Sequence, residues 1–228
     1  MNYACPIWTP SLRSTNSWNS LQTAQNSALR IATGCHLMSD IDHLHNETKV
    51  MKVKPHCEML SKQFLLSTQR PNHPNRVDWN KPPPPPGRLM KMTLVSEYGD
   101  EIRGISTPDL LDNTYKSKLR EIHTKSVRDA INNMNVNKVL NTTPPAINVN
   151  EKLLPRSTRA TLSQLRSGYS NFLNSYKSRI NPEVQDRCPY CTESHTTSHL
   201  FNCRGKPTTL RPRDLWDKPP EVARFLNL

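Results

Sequence analysis

Between Arg187 and Lys206 the chain places Cys188, Cys191, His195, His199 and Cys203, and their spacing restricts what this segment can fold into. Cys188-Pro-Tyr-Cys191 is a C-x2-C turn, and His199-x3-Cys203 returns two donors one helical turn apart. Two thiolates on a tight turn and two donors from a short helix close a tetrahedron around one Zn2+. A closed shell keeps no open position, so such an ion is structural. His195 stands one turn before His199 and can replace it as ligand. His199 is favoured because Leu200 and Phe201 beside it are suited to bury the inner side of the site. Two readings compete: free thiols in a polar turn, with His199 and Cys203 on the inner face of a small helix, or a disulfide, which needs an oxidising compartment.

The rest of the chain is poorly supplied for one large core. Of its 228 residues 34% are hydrophobic, and twenty are prolines against only six glycines. Mean hydropathy is -0.72. Proline breaks helices and interior strands and stiffens linkers, so separate small units are expected. A formal charge of +12 favours a polyanionic partner, nucleic acid before an acidic membrane surface. No apolar run of spanning length and no basic amphipathic stretch with bulky anchors supports a membrane segment. Met1-Asn2-Tyr3-Ala4-Cys5-Pro6 lacks the regions of a secretory signal, so an intracellular place is expected, in the nucleus or a cytoplasmic ribonucleoprotein. Cys5, Cys35 and Cys57 are then buried or idle thiols.

Helical spacing dominates the chain. Asn16 to Thr33 carries Trp18, Leu21, Gln25, Ala28 and Ala32 on one face, and Gly34 follows as a stop. Ser39 to Asp42 opens a short helix with Ile41 and Leu44 inward, and its His43 and His45 point to different faces as polar flanking residues. Lys54 to Thr68 is the third helix, with Pro55 in its first turn. Residues 1–70 therefore read as one helical subdomain. Residues 71–150 read as a linker with one helix: Lys81-Pro-Pro-Pro-Pro-Pro-Gly87 is a polyproline spacer, Met90 to Val95 pairs with Ile102 to Ile105 in a hairpin, Tyr115 to Met134 is helical, and Asn141 to Leu154 is a second linker.

Residues 151–228 hold a long helix, Ser157 to Ser178, leading to the Cys/His segment. Its stripe is Leu162, Leu165, Tyr169, Phe172, Leu173 and Tyr176. Six Lys or Arg stand between residues 151 and 180 against the single acid Glu151. Arg159, Arg166, Arg187, Arg204 and Lys206 are the candidates for phosphate contact, with a merely solvated basic face as the alternative, and Tyr190 is the candidate for stacking on a base. The tail from Leu215 to Leu226 is expected to fold back over this small core.

No catalytic constellation emerges. Tyr98-Gly99-Asp100-Glu101 approaches the aromatic-x-Asp-Asp turn of polymerases, but its second acid is Glu and no partner aspartate is apparent, so two-metal chemistry is unsupported. No Walker loop, G-x-S-x-G elbow or H-E-x-x-H string occurs.

The run Leu29-Arg-Ile-Ala-Thr-Gly-Cys-His-Leu-Met38, then Ile41-Asp-His-Leu-His45, Leu60-Ser-Lys-Gln-Phe-Leu-Leu66 and Arg70-Pro-Asn-His-Pro-Asn75, resembles the region after the polymerase palm in jockey-like non-LTR retrotransposon reverse transcriptases. Leu162-Ser-Gln-Leu-Arg-Ser-Gly168, Cys188-Pro-Tyr-Cys191 and His199-Leu-Phe-Asn-Cys203 resemble that family's C-terminal segment and zinc knuckle. Nothing in residues 77 to 150 carries the resemblance. It implies a thumb-side helical segment followed by a nucleic-acid-binding appendage, with Cys188, Cys191, His199 and Cys203 as ligands. Such RNA-directed DNA polymerases carry their catalytic aspartates in a palm that would precede Met1, so polymerase activity is not expected of this chain.

The combined expectation is a mainly α protein with one structural zinc ion, binding RNA or DNA with little regard for sequence. A protein-interaction module and an inert remnant of a mobile element are the alternatives.

Overall fold

The computed structural model describes residues 5–9, 14–70, 73–76, 93–105 and 112–228. Among these every regular element is helical, in keeping with the expected mainly α class though not with the expected hairpin. Among the described residues no helix is long and apolar enough to cross a membrane. The proline run lies outside the described residues.

The chain divides into two compact units, and both are discontinuous: residues 1–25 with 51–133, and residues 26–50 with 134–228. The division differs from the expected boundaries at 70 and 150. In particular the three helices expected between Asn16 and Thr68 do not form one subdomain, because the end of the first and all of the second belong with the C-terminal half.

The first unit is organised on one helix. α1 (Cys5–Trp8) and the start of α2 (Thr15–Thr33) precede α3 (Ile41–Thr48), which lies in the other unit, and α4 (Val53–Ser67) is the central element. α5 (Leu94–Ile105) and α6 (Asp112–Asn132) pack against α4. Met59, Leu65 and Leu66 of α4 meet Tyr98, Ile102 and Ile122 in one cluster, while Cys5, Val53 and Cys57 form another against Trp8, Trp18 and Leu21. Lys62 and Lys125 both reach Glu101, at 2.7 and 2.9 Å, so one carboxylate ties α4, α5 and α6 together.

α5 stands where most of the expected hairpin would lie, the hairpin's residues 90–92 falling outside the described ones. Leu94, Tyr98 and Ile102 are spaced by four, which fits a strand's period of two as well as a helix face. The helix start decides it: Thr93 N–H donates to Ser96 Oγ at 2.9 Å and Ser96 N–H donates to Thr93 Oγ1 at 3.2 Å. This is a reciprocal cap with serine in the place of the usual Glu or Gln. Tyr98-Gly99-Asp100-Glu101 is therefore mid-helix, and not the turn a polymerase motif requires.

The second unit is built around α7 (Arg156–Ser167), followed by α8 (Asn174–Ile180), α9 (Thr197–Leu200), α10 (Asp214–Asp217) and α11 (Pro219–Leu226), with a 3-10 turn at Val149–Leu153 before it. The long helix expected over residues 157–178 is broken in two. Gly168 takes φ +77° and its N–H bonds Leu165 O at 3.0 Å, while Tyr169 N–H bonds Gln164 O at 3.1 Å. That Schellman pattern needs a residue tolerant of the left-handed region. Leu173 and Tyr176 still join Leu162 and Leu165 in the core, because the turn carries α8 back onto it. Leu200, Phe201, Leu215, Trp216, Val222 and Leu226 close that core from the C-terminal side, as expected of the tail.

The corner between α2 and α3 sits on the opposite side of α7. Gly34, at φ +73°, comes so close that a Cβ there would stand 2.6 Å from Ala160 Cβ. Gln164 Nε2 donates to Gly34 O at 2.7 Å, Cys35 Sγ lies 3.2 Å from Ser163 Oγ, and Ser39 Oγ donates to Ser167 Oγ at 3.1 Å. His43 and His45 are not flanking residues: both are buried, His43 Nε2 against Ser163 O at 3.1 Å and His45 Nδ1 against Val50 O at 2.7 Å. Ile41, expected inward, is exposed.

Residues 141–154 are no linker either. Ile147 packs on the core, Asn148 N–H donates to Trp216 O at 2.9 Å, and Glu151 is buried. Polar residues that look unstructured in a sequence are here the partners of buried groups.

Candidate metal centre and nucleic-acid interface

Cys188 Sγ, Cys191 Sγ, His199 Nε2 or Nδ1, and Cys203 Sγ all lie within 4.8 Å of one another, so these four side chains could hold a metal ion. Cys188 and Cys203 sulfurs are 3.6 Å apart, Cys203 and Cys191 sulfurs 3.9 Å, and His199 Nε2 is 3.1 Å from Cys191 Sγ. All three thiols are free of disulfides.

Local backbone bonds bring the donors together. Cys188 N–H donates to Glu193 O at 2.8 Å, closing the turn, and Tyr190 N–H points at Cys188 Sγ at 3.5 Å. Thr196 caps α9 through a bond from His199 N–H at 3.2 Å. The returning turn passes close: a Cβ on Gly205 would meet Tyr190 O at 2.3 Å, which is why glycine stands there. α9 is anchored to the core by Thr197 Oγ1, which donates to Leu165 O at 3.0 Å.

His199 faces the sulfurs through Nε2 and Glu193 Oε2 through Nδ1, at 3.1 Å. A carboxylate behind a ligating imidazole fixes its tautomer and raises its basicity. Sequence reasoning missed Glu193. Burial would push the Cys203 thiol up, but bonds from Cys188 and from the N–H groups of Gly205 and Lys206 outweigh it and bring it down to about 7, toward the thiolate that a metal takes. Cys191 moves the other way: the bond from the Glu193 backbone lowers it, but burial and the Cys188 and Cys203 sulfurs prevail.

His195, the alternative ligand, is turned to other work. Its Nδ1 accepts from Asn174 N–H at 3.1 Å, its carbonyl accepts from Ser175 Oγ at 2.8 Å, and its ring lies against Phe172. It joins α8 to the finger and is not among the four converging donors.

The candidate nucleic-acid residues scatter. Arg187 and Arg204 are exposed. Tyr190 is 56% exposed, with Lys206 Nζ 5.6 Å from its ring centre. Arg159 is exposed beside a separate hollow shared with Arg156, Gly34 and Ser163. Arg166 is a correction: it is 0% exposed, bonded to Glu47 Oε1 at 2.6 Å, to both oxygens of Glu151, and through Nε to Leu215 O at 3.0 Å. Its guanidinium also lies over the Trp216 ring. A cation whose donors all point inward cannot meet a phosphate.

No family model, curated protein or solved structure matches the chain.

Proposed function

We propose that the second unit is a zinc-organised platform that binds single-stranded RNA or DNA without chemistry, as the tail of a jockey-like reverse transcriptase. The convergence of Cys188, Cys191, His199 and Cys203 carries this reading. Sulfurs about 2.3 Å from a zinc ion at tetrahedral angles are about 3.8 Å apart, and the sulfur separations here are 3.6 and 3.9 Å. Three thiolates and an imidazole suit Zn2+ rather than Mg2+ or Ca2+, which take oxygen donors. With all four positions filled by the protein, the ion folds the finger and activates nothing.

The formal charge of +12 supports a polyanionic partner. Arg159, Arg187, Arg204 and Lys206 remain as phosphate contacts once Arg166 is withdrawn. Neutralising four phosphates of a single strand gives a slope of about −3 in log affinity against log salt. The test is metal quantification on the purified chain followed by filter binding of single-stranded RNA and DNA over a salt series. One zinc per chain and salt-sensitive affinity are expected. Absence of stoichiometric metal, or affinity indifferent to salt, refutes the proposal. Charge reversal at Arg159 and Arg204 separates it from a protein-interaction module, since only nucleic-acid binding should then fall while zinc is retained.

A further inference from the structure

Beside the metal cluster the second unit carries a cavity of about 180 Å3, and its wall includes Cys188 and Cys203 themselves. Drug-sized ligands need roughly 300–1,000 Å3, so this space suits one flat ring system. Its aromatic surface comes from Phe172, Tyr190 and Phe225, Leu200 and Leu226 add aliphatic wall, its cations are Lys177 and Lys206, and among the described residues no carboxylate lines it.

The polar groups match a base with flanking phosphates. Lys206 Nζ lies over both the Phe225 ring, at 4.5 Å, and the Tyr190 ring, at 5.6 Å, and donates to Phe225 O at 3.0 Å. An ammonium has three N–H groups, so two remain for a phosphate. Tyr190 is still 56% exposed with Lys206 on one face, which leaves ring surface open. His195 lines the same cavity, and since its Nδ1 accepts from the Asn174 backbone, its Nε2 carries the ring proton as a donor.

We propose that this cavity receives one unstacked base of a single strand, with Tyr190 as the stacking surface and Lys177 and Lys206 holding the adjoining phosphates. This rests on the nucleic-acid reading above. The metal matters to it directly, because two of the thiols that would hold the ion form part of the cavity wall.

The test uses the zinc-loaded full chain and two octamers, one wholly abasic and one abasic except for a central 2-aminopurine. Backbone contacts alone bind both. The proposal expects the single base to raise affinity by about tenfold and its fluorescence to be quenched on binding. Tyr190→Ala should lose both effects, Tyr190→Phe should keep both, and each variant should retain zinc. Lys177→Gln should flatten the salt slope by about 0.7.

Equal affinity for the two octamers, with salt-sensitive binding intact, overturns the cavity proposal while the platform reading stands. Failure of both octamers to bind overturns the two together. Free 2-aminopurine nucleotide binding as tightly as the octamer also overturns it, because the occupant would then be a mononucleotide.

Discussion

The guanidinium of Arg166 and the carboxylate of Glu151 meet fork to fork across fifteen residues of sequence, Nη1 at 3.2 Å from Oε1 and Nη2 bonded to Oε2. Glu47, from α3, takes the same Nη1 at 2.6 Å. One buried cation thus fastens α3 and the turn at 149–153 to α7.

Removing it should unfold rather than weaken. Arg166→Ala strands the buried Glu151 and the partly buried Glu47 and is expected to cost about 3–5 kcal/mol, read as a lower urea midpoint. Arg166→Lys should also destabilise, since an ammonium lacks the planar fork. An unchanged midpoint with weakened nucleic-acid binding would return Arg166 to the surface role its sequence position suggests.

Metal removal should act on the finger and the core it seals. Cys203→Ser and His199→Ala are expected to lose bound zinc, measured by elemental analysis. His195→Ala should retain it, because His195 bonds Asn174 and Ser175 instead. A chelator should lower the melting temperature of the wild type and leave that of Cys203→Ser unmoved.

Acid should weaken the second unit through His43. Burial holds this imidazole below its ordinary pKa, with Arg166 adding to the effect and Glu47, Asp40 and the bond to Ser163 opposing it. The unfolded chain therefore binds the proton more readily, and stability falls as pH drops below the ordinary histidine value of about 6.5. It falls until the lowered folded value is passed. His43→Gln should flatten this part of the pH–stability curve, measured as urea midpoints over a pH series.

Gly34→Ala should be costly for two reasons that add. The position has φ +73°, and the new Cβ would stand 2.6 Å from Ala160 Cβ. About 1–3 kcal/mol is expected, and Ala160→Gly in the same chain should recover part of it by relieving the contact alone.

Helix positions were largely legible. The extents of α2, α4 and α6 follow from apolar spacing and from Gly34 and Pro55 at their ends, because those cues act within a few residues. The four converging Cys and His donors were legible for the same reason: Cys188, Cys191, His199 and Cys203 sit in sixteen consecutive residues, so turn and helix geometry alone bring them close. α5 was misread because spacing by four serves two periods, and α7 was read through Gly168 because its apolar stripe continues on either side of the break.

Local order, charge and ligand spacing follow from neighbours along the chain, and neighbours are what a sequence displays. Partnership across the fold follows from which groups share a low-dielectric interior, and there a charge must be paired or expelled. Arg166 has the sequence context of Arg159, yet one is enclosed by Glu47 and Glu151 and the other faces solvent. Likewise Leu200 and Phe201 favour His199 over His195 already in the sequence, but what occupies His195 instead, the backbone N–H of Asn174, only the fold discloses.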